Sequence, residues 1–230
     1  MAFAISIKEI TVLTTMKKYH YYLFDADGTI IDTRELIYQC FMYTGKKFAG
    51  AAVPRGLVDR HIGIPLRNQM EIYFGPMDDE RFQEISQEHM NYQLKIYPDY
   101  LRVFPGVSDT LGRLCDAGKK LAVVTSRRSH TLGFFLQETG LHGFFSALVT
   151  PESTKRHKPD PEPAFKALSL IGGVAERSLF IGDSTYDIEC GTRAGMDTAY
   201  IAWNEQTPEF GTCNPTFFLE QFEQLLPKKT

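Results

Sequence analysis

The sequence has little with which to cross a membrane, staple itself together or grip a polyanion. No apolar run approaches the roughly 20 residues that a bilayer span needs. Cysteine is scarce: Cys40, Cys115, Cys190 and Cys213 are the four in 230 residues. None of them forms a C-x-x-C pair or a zinc spacing, which excludes a disulfide scaffold or a zinc ribbon and fits free thiols in a reducing cytoplasm. Charge of one sign is also missing. With 25 basic against 28 acidic residues and a net charge of −3, there is no excess to hold a nucleic-acid backbone or an anionic lipid surface. Neither partner is expected, and the chain is expected to work as a monomer or homodimer. No internal repeat or low-complexity segment appears. The opening MAFAISIKEITVLTT is interrupted by Lys8 and Glu9 and has no basic leader, so it does not read as a signal peptide. Residues 1–16 read as an N-terminal extension: either Met16 is the natural start and residues 1–15 lie upstream of it, or they add a strand or a helix packed on the body.

A hydrophobic fraction of 43% in a chain of 230 residues is enough for one large core with an insertion. Short apolar runs recur at YYLF (21–24), KLAVVTS (120–126), ALVT (147–150), SLFIGD (178–183) and TAYIAW (198–203). Rich in Val, Ile, Tyr and Phe and without alternation, they predict strands buried on both faces. Helical spacing lies between the later ones, over 107–117, 129–139, 161–171 and 185–194, with Gly118, Gly140, Gly172 and Gly195 just past the ends. Alternating strands and helices predict an α/β fold, a Rossmann-like parallel sheet covered on both faces.

Residues 34–99 differ. They show no convincing strand, a helix over 34–48, and an amphipathic stripe of Phe82, Ile85, His89, Tyr92 and Ile96. An all-helical cap inserted into a core of residues 17–33 and 100–230 is expected, with crossings near Asp32–Thr33 and Tyr100–Phe104 as hinges. The tail run FFLEQFEQLL reads as a short helix.

The chemistry gathers where strands end. In a parallel sheet the strand C-termini open on one edge, and ligands bind there. The first run delivers Asp25 and Asp27, the second Thr125 and Ser126, and the fourth Asp183 with Asp187 beyond it; Lys158 precedes a proline-started helix. Each alone is an ordinary turn former, cap or surface charge. Together, three or more carboxylates on one edge repel one another unless a cation neutralises them. Hard oxygen ligands suit Mg²⁺, which takes one or two carboxylates plus substrate phosphate. A lysine and a hydroxyl beside them suit an anion. The residues therefore point to a Mg²⁺-dependent site for phosphate chemistry.

Those same residues carry a resemblance. D-A-D-G-T at 25–29, V-V-T-S at 123–126, K-P-D-P at 158–161 and G-D-S-T-Y-D at 182–187 resemble the four ordered motifs of the haloacid dehalogenase-like hydrolase superfamily. Within it, V-F-P-G-V at 103–107 and H-I-G-I-P-L at 61–66 are similar to the phosphoglycolate phosphatase-like phosphatases. The resemblance implies Asp25 as nucleophile, forming an aspartyl-phosphate, and Asp27 as acid for the leaving oxygen and base for water. It implies Mg²⁺ held by Asp25, the Asp27 carbonyl and Asp183, with Asp187 as a further metal residue. Thr125 would bond a phosphate oxygen and Lys158 would neutralise charge. Gly28 and Thr29 would open the turn's backbone N–H groups to phosphate, with Ser126 close by. Arg60, Gly63 and Arg127 are the candidate substrate contacts, and His61 is more simply a packing residue. The implied substrate is a small phosphorylated metabolite such as 2-phosphoglycolate. Inorganic pyrophosphate, a sugar-phosphate mutase activity and a non-catalytic binding role stay open; Ile37 and Tyr38 stand where such mutases carry a cap histidine.

Overall fold

The computed structural model describes residues 19–203 and 209–226. The expected N-terminal extension lies outside the described residues. Strand β1 (Tyr21–Phe24) sits at the middle of a six-stranded sheet. Its neighbours are β4 (Lys120–Val124) and β6 (Ser178–Gly182), each paired to it in parallel. Outward lie β5 (Ala147–Val149) on one side and β7 (Asp197–Ile201), then β8 (Phe217–Leu219), on the other. Every neighbouring pair in this sheet is parallel.

The two-sided burial predicted from the apolar runs has a direct physical counterpart. Along β1 the side chains alternate between two cores. Tyr22 and Phe24 join a cluster with Leu111, Leu132 and Phe135, from α5 (Val107–Asp116) and α6 (Ser129–Glu138). Leu23 joins the opposite cluster with Ala164, Leu168 and Cys190, from α7 (Glu162–Ile171) and α8 (Thr185–Arg193). A strand that must serve both faces leaves no position for a polar residue until it ends.

Between β1 and the sheet's second strand come four helices: α1 (Arg34–Ala49), α2 (Arg55–His61), α3 (Leu66–Phe74) and α4 (Asp79–Tyr100). Their own core gathers Ile37, Phe41, Val58, Met70 and Ile85. Helix α4 starts where Asp78 accepts the Arg81 amide, an N-cap of the usual kind. The two chain crossings into this segment lie side by side, because β2 (Ile31–Asp32) and β3 (Arg102–Val103) pair antiparallel. No described helix is long and apolar enough to cross a membrane.

One expectation fails at the C-terminal tail. FFLEQFEQLL forms β8 and a single 3-10 turn (Phe222–Leu225) instead of a helix. Phe217 and Leu219 are buried while Phe218 is 56% exposed. That is a period of two, which an open edge on β7 selects over helical spacing. Phe222 then stacks within 5.7 Å of Phe24.

Candidate active site

The Asp25 amide donates to the Ile181 carbonyl at 2.9 Å, so the sheet's own ladder carries this residue to the edge. The turn that follows accounts for most of its backbone donors. The N–H groups of Thr29, Ile30 and Ile31 all go to the Ala26 carbonyl, and that of Gly28 goes to Ile31. The amides of Ala26 and Asp27 have no acceptor among the described residues. Gly28 and Thr29, expected beside the phosphate, both lie in this turn. The Gly28 amide is committed; glycine is needed because φ is +79° and a Cβ would lie 2.1 Å from Asp183 Oδ2. Thr29 is fully buried and turns its hydroxyl toward Asp183 Oδ1 at 3.4 Å.

Lys158 is 4% exposed. Its Nζ bridges Asp25 Oδ1 at 2.7 Å and Asp187 Oδ1 at 2.6 Å. Asp187 gives its other oxygen to the amide and hydroxyl of Ser184, at 3.1 and 2.5 Å. Ser184 and Asp187 form a capping box at the start of α8. The helix start therefore fixes Asp187, and Asp187 fixes the lysine. Burial alone would lower the Lys158 ammonium, but Asp187 and Asp25 more than reverse it and hold the proton firmly. Burial pushes the Asp25 carboxyl up to about 7, with Asp187 and Asp27 adding to the rise and Lys158 opposing it. Asp183, just beyond β6, is also raised, first by burial and then by Asp25 and Asp187.

Asp25, Asp183 and Asp187 each offer an oxygen within 4.8 Å of the others. Three carboxylates against one ammonium leave the cluster short of positive charge. Among the described residues Asp183 receives only the long Thr29 contact, so it has lone pairs to give. The donor set fits a hard divalent cation.

Arg127, expected as a substrate contact, is engaged within the protein. Its Nε and Nη2 take both oxygens of Asp27, at 2.8 and 2.6 Å, and its Nη1 donates to Gln93 Oε1 of α4 at 3.0 Å. Thr33 also donates to Asp27, at 2.5 Å. The guanidinium lies over the Phe135 ring, 4.7 Å from its centroid. Arg60 is the expected contact from the helical segment. It is exposed, returns its Nε to the Gly56 carbonyl, and is absent from the walls of the cavity. His61 packs: its Nδ1 sits 2.8 Å from the Leu57 carbonyl.

A cavity of about 80 Å³ opens between the sheet edge and the helices, with Asp25, Asp27 and Thr125 on one side. Thr125 Oγ1 accepts the Arg127 amide at 3.1 Å, which leaves its proton free to donate. Ser126 donates to the Gly63 carbonyl at 2.6 Å, so these two residues join the sheet edge to the helical segment. The far walls include Gln69, Ser86, His89 and Gln93, none of them singled out as site residues by the motifs. A signal existed for some of them: His89 is a polar residue inside the apolar stripe of α4, and Ser86 and Gln93 flank it at spacings of three and four.

Residues 22–201 match the model of the haloacid dehalogenase-like hydrolase family. The chain is 34% identical over 205 residues to the pyrophosphatase PpaX of Anoxybacillus flavithermus, spanning 89% of this chain and 94% of that one. Among solved structures it is similar to a Bacteroides fragilis protein named as a haloacid dehalogenase-like hydrolase. There the TM-score is 0.81 at 26% identity, over 90% of this chain and all of the other. A Haemophilus somnus protein named as a predicted phosphoglycolate phosphatase shares the fold, with a TM-score of 0.78 at 22% identity over 89% and 95% of the two chains.

Proposed function

The chain belongs to the haloacid dehalogenase-like hydrolase family, and on that premise we propose that it is a Mg²⁺-dependent phosphatase acting through an aspartyl-phosphate on Asp25. The observation that carries this reading is the placement of Asp25. It stands at the sheet edge, faces the cavity, and lies against Lys158 and the Asp183–Asp187 carboxylates.

Each residue has a task that its position supports. Asp25 attacks phosphorus in line with the leaving oxygen. Lys158 stays protonated beside it and offsets charge on the nucleophile and the transferring group. The free amides of Ala26 and Asp27 and the Thr125 hydroxyl donate to the phosphoryl oxygens. Asp27 protonates the leaving oxygen and later draws a proton from water; to do so its carboxyl leaves the Arg127 and Thr33 donors that hold it here. Held by Asp25, the Asp27 carbonyl and Asp183, Mg²⁺ would let a carboxylate approach a phosphate dianion. Asp187, with both oxygens committed, orients Lys158 and adds charge to the metal site. Residues 34–99 act as a cap over the core of 17–33 and 100–230, with the β2–β3 ribbon as its hinge.

Two substrates head the panel. 2-Phosphoglycolate follows from the motif resemblance, and pyrophosphate stands in the names of the relatives. We place its work in a reducing cytoplasm, where the four free cysteines would stay reduced, and propose a monomer or homodimer. The test is phosphate release from 4-nitrophenyl phosphate and a phosphometabolite panel, with Mg²⁺ and with EDTA. Asp25→Asn should abolish turnover while circular dichroism stays native; wild-type-like release in that variant defeats the assignment.

A further inference from the structure

We propose that Asp27 occupies the seat of a second anion on the substrate. A carboxylate or phosphate on the leaving group takes Arg127 in its place, and the exchange frees Asp27 to protonate the leaving oxygen. The substrate is then a phosphate ester or anhydride with a second negative group close to the transferred one. This rests on the phosphatase reading above and deepens it.

The seat is held independently of its present occupant. Arg127 is 9% exposed. Its Nε and Nη2 form one edge of the guanidinium, a two-donor fork that matches the paired oxygens of a carboxylate or a phosphate. Asp27 fills that fork. The rest of the arginine is fixed elsewhere: Nη1 donates to Gln93 Oε1 at 3.0 Å, the Phe135 ring lies against the guanidinium, and the Arg127 amide donates to Thr125 Oγ1. Gln93 is itself 5% exposed. When Asp27 leaves, the fork stays where it is. Asp27 and Arg127 both line the cavity. The carboxylate that covers the fork is thus part of the wall, and its departure bares the fork to the space beside Asp25.

A buried guanidinium that loses its carboxylate is strongly destabilised unless another anion arrives. An anionic leaving group supplies one; a neutral leaving group does not. The exchange also ties recognition to catalysis. Asp27 is held by Arg127 Nε and Nη2 and by the Thr33 hydroxyl, and while they hold it the carboxyl does not reach the leaving oxygen. A substrate that brings nothing for Arg127 leaves Asp27 in place. The penalty for a missing second anion therefore falls on kcat as well as on kcat/KM. The other cations near the site do not make this exchange: Lys158 serves Asp25 and Asp187, and Arg128 pairs with Glu152 at 3.3 Å.

The experiment measures kcat and KM with Mg²⁺ for 2-phosphoglycolate and for its neutral amide, 2-phosphoglycolamide. The acid should exceed the amide by about ten- to a hundredfold in kcat/KM, the worth of a hydrogen bond to a charged group, with kcat carrying much of the difference. Arg127→Lys keeps the charge without the fork and should bring that ratio toward one. Pyrophosphate is the further arm: its rank against 2-phosphoglycolate distinguishes phosphate from carboxylate as the second anion. A second readout needs no turnover. In Asp27→Asn the fork loses its charged partner, so glycolate should bind at least about tenfold more tightly than to the wild type by calorimetry. Glycolamide should not gain, and adding Arg127→Lys should remove the effect. A wild-type ratio near one with phosphate still released, or no gain in glycolate affinity in folded Asp27→Asn, overturns this inference alone. If Arg127→Lys does not fold, the wild-type ratio and the glycolate affinities decide. No release from any of these substrates, 4-nitrophenyl phosphate included, defeats the phosphatase reading, and this one with it.

Discussion

Replacing Asp183 by Asn should make the metal-free protein more stable while destroying its response to Mg²⁺. The oxygens of Asp25, Asp183 and Asp187 lie within 4.8 Å of one another. At an effective dielectric near 20, each ionised pair at that separation repels by about 3.5 kcal/mol. Asp183 takes part in two such pairs, and attraction to Lys158 offsets roughly one of them. Proton uptake by Asp183 relieves part of the remainder, since burial and its neighbours already raise its pKa. About 2 kcal/mol of net relief is a reasonable expectation. In a chain of this size that is a rise of roughly 4–8 °C in Tm. An amide keeps the volume and can donate to Asp25. Thermal unfolding in EDTA and in Mg²⁺ measures both halves. The wild type should gain about 2.7 kcal/mol at a Mg²⁺ concentration a hundred times its Kd, whereas the variant should gain none and release no phosphate. A Tm in EDTA at or below that of the wild type would show that the carboxylates are not in conflict, and a retained Mg²⁺ shift would show that Asp183 is not a ligand.

Three further outcomes follow from the same structure. Arg127→Ala should cost about 3–5 kcal/mol in urea unfolding, because it strands the largely buried Asp27 carboxylate after removing its bidentate partner; Asp27→Asn in the same background should recover part of the loss. Gly28→Ala forces a side chain to φ +79° and against Asp183, so Tm should fall by an amount equivalent to at least about 1–2 kcal/mol and Mg²⁺ should bind more weakly. His89 titrates at its ordinary value when unfolded but only near pH 3 when folded. The unfolded chain therefore binds the extra proton between those values, and stability drops by up to about 1.4 kcal/mol per pH unit as pH falls from 6.5 toward 3. His89→Phe should flatten that slope.

Much of this was legible in the chain because it is local. The apolar runs at 21–24, 120–124 and 178–182 announce strands through composition alone, and the strand-end rule places Asp25, Thr125 and Asp183 on one edge. The tail was misread because its periods are ambiguous: Phe217 and Leu219 suit either spacing until a free sheet edge chooses. The partner of Arg127 was not legible, because an arginine beside a phosphate motif carries no record of it. Asp27 lies 100 residues away, and the two meet only once the sheet has set β1 beside β4.

What the sequence determined by itself was the kind of chemistry: which residue types stand at strand ends, and the cation that their shared charge requires. The tertiary structure decided how each is committed. It set Gly28 against Asp183, where a Cβ would not fit, gave Asp187 to Lys158 and Ser184, and brought Gln69, Ser86, His89 and Gln93 to the cavity wall. Backbone periodicity is written in neighbouring residues. The direction of a side chain, and the partner it meets, depends on how helices and strands far apart in sequence pack against one another.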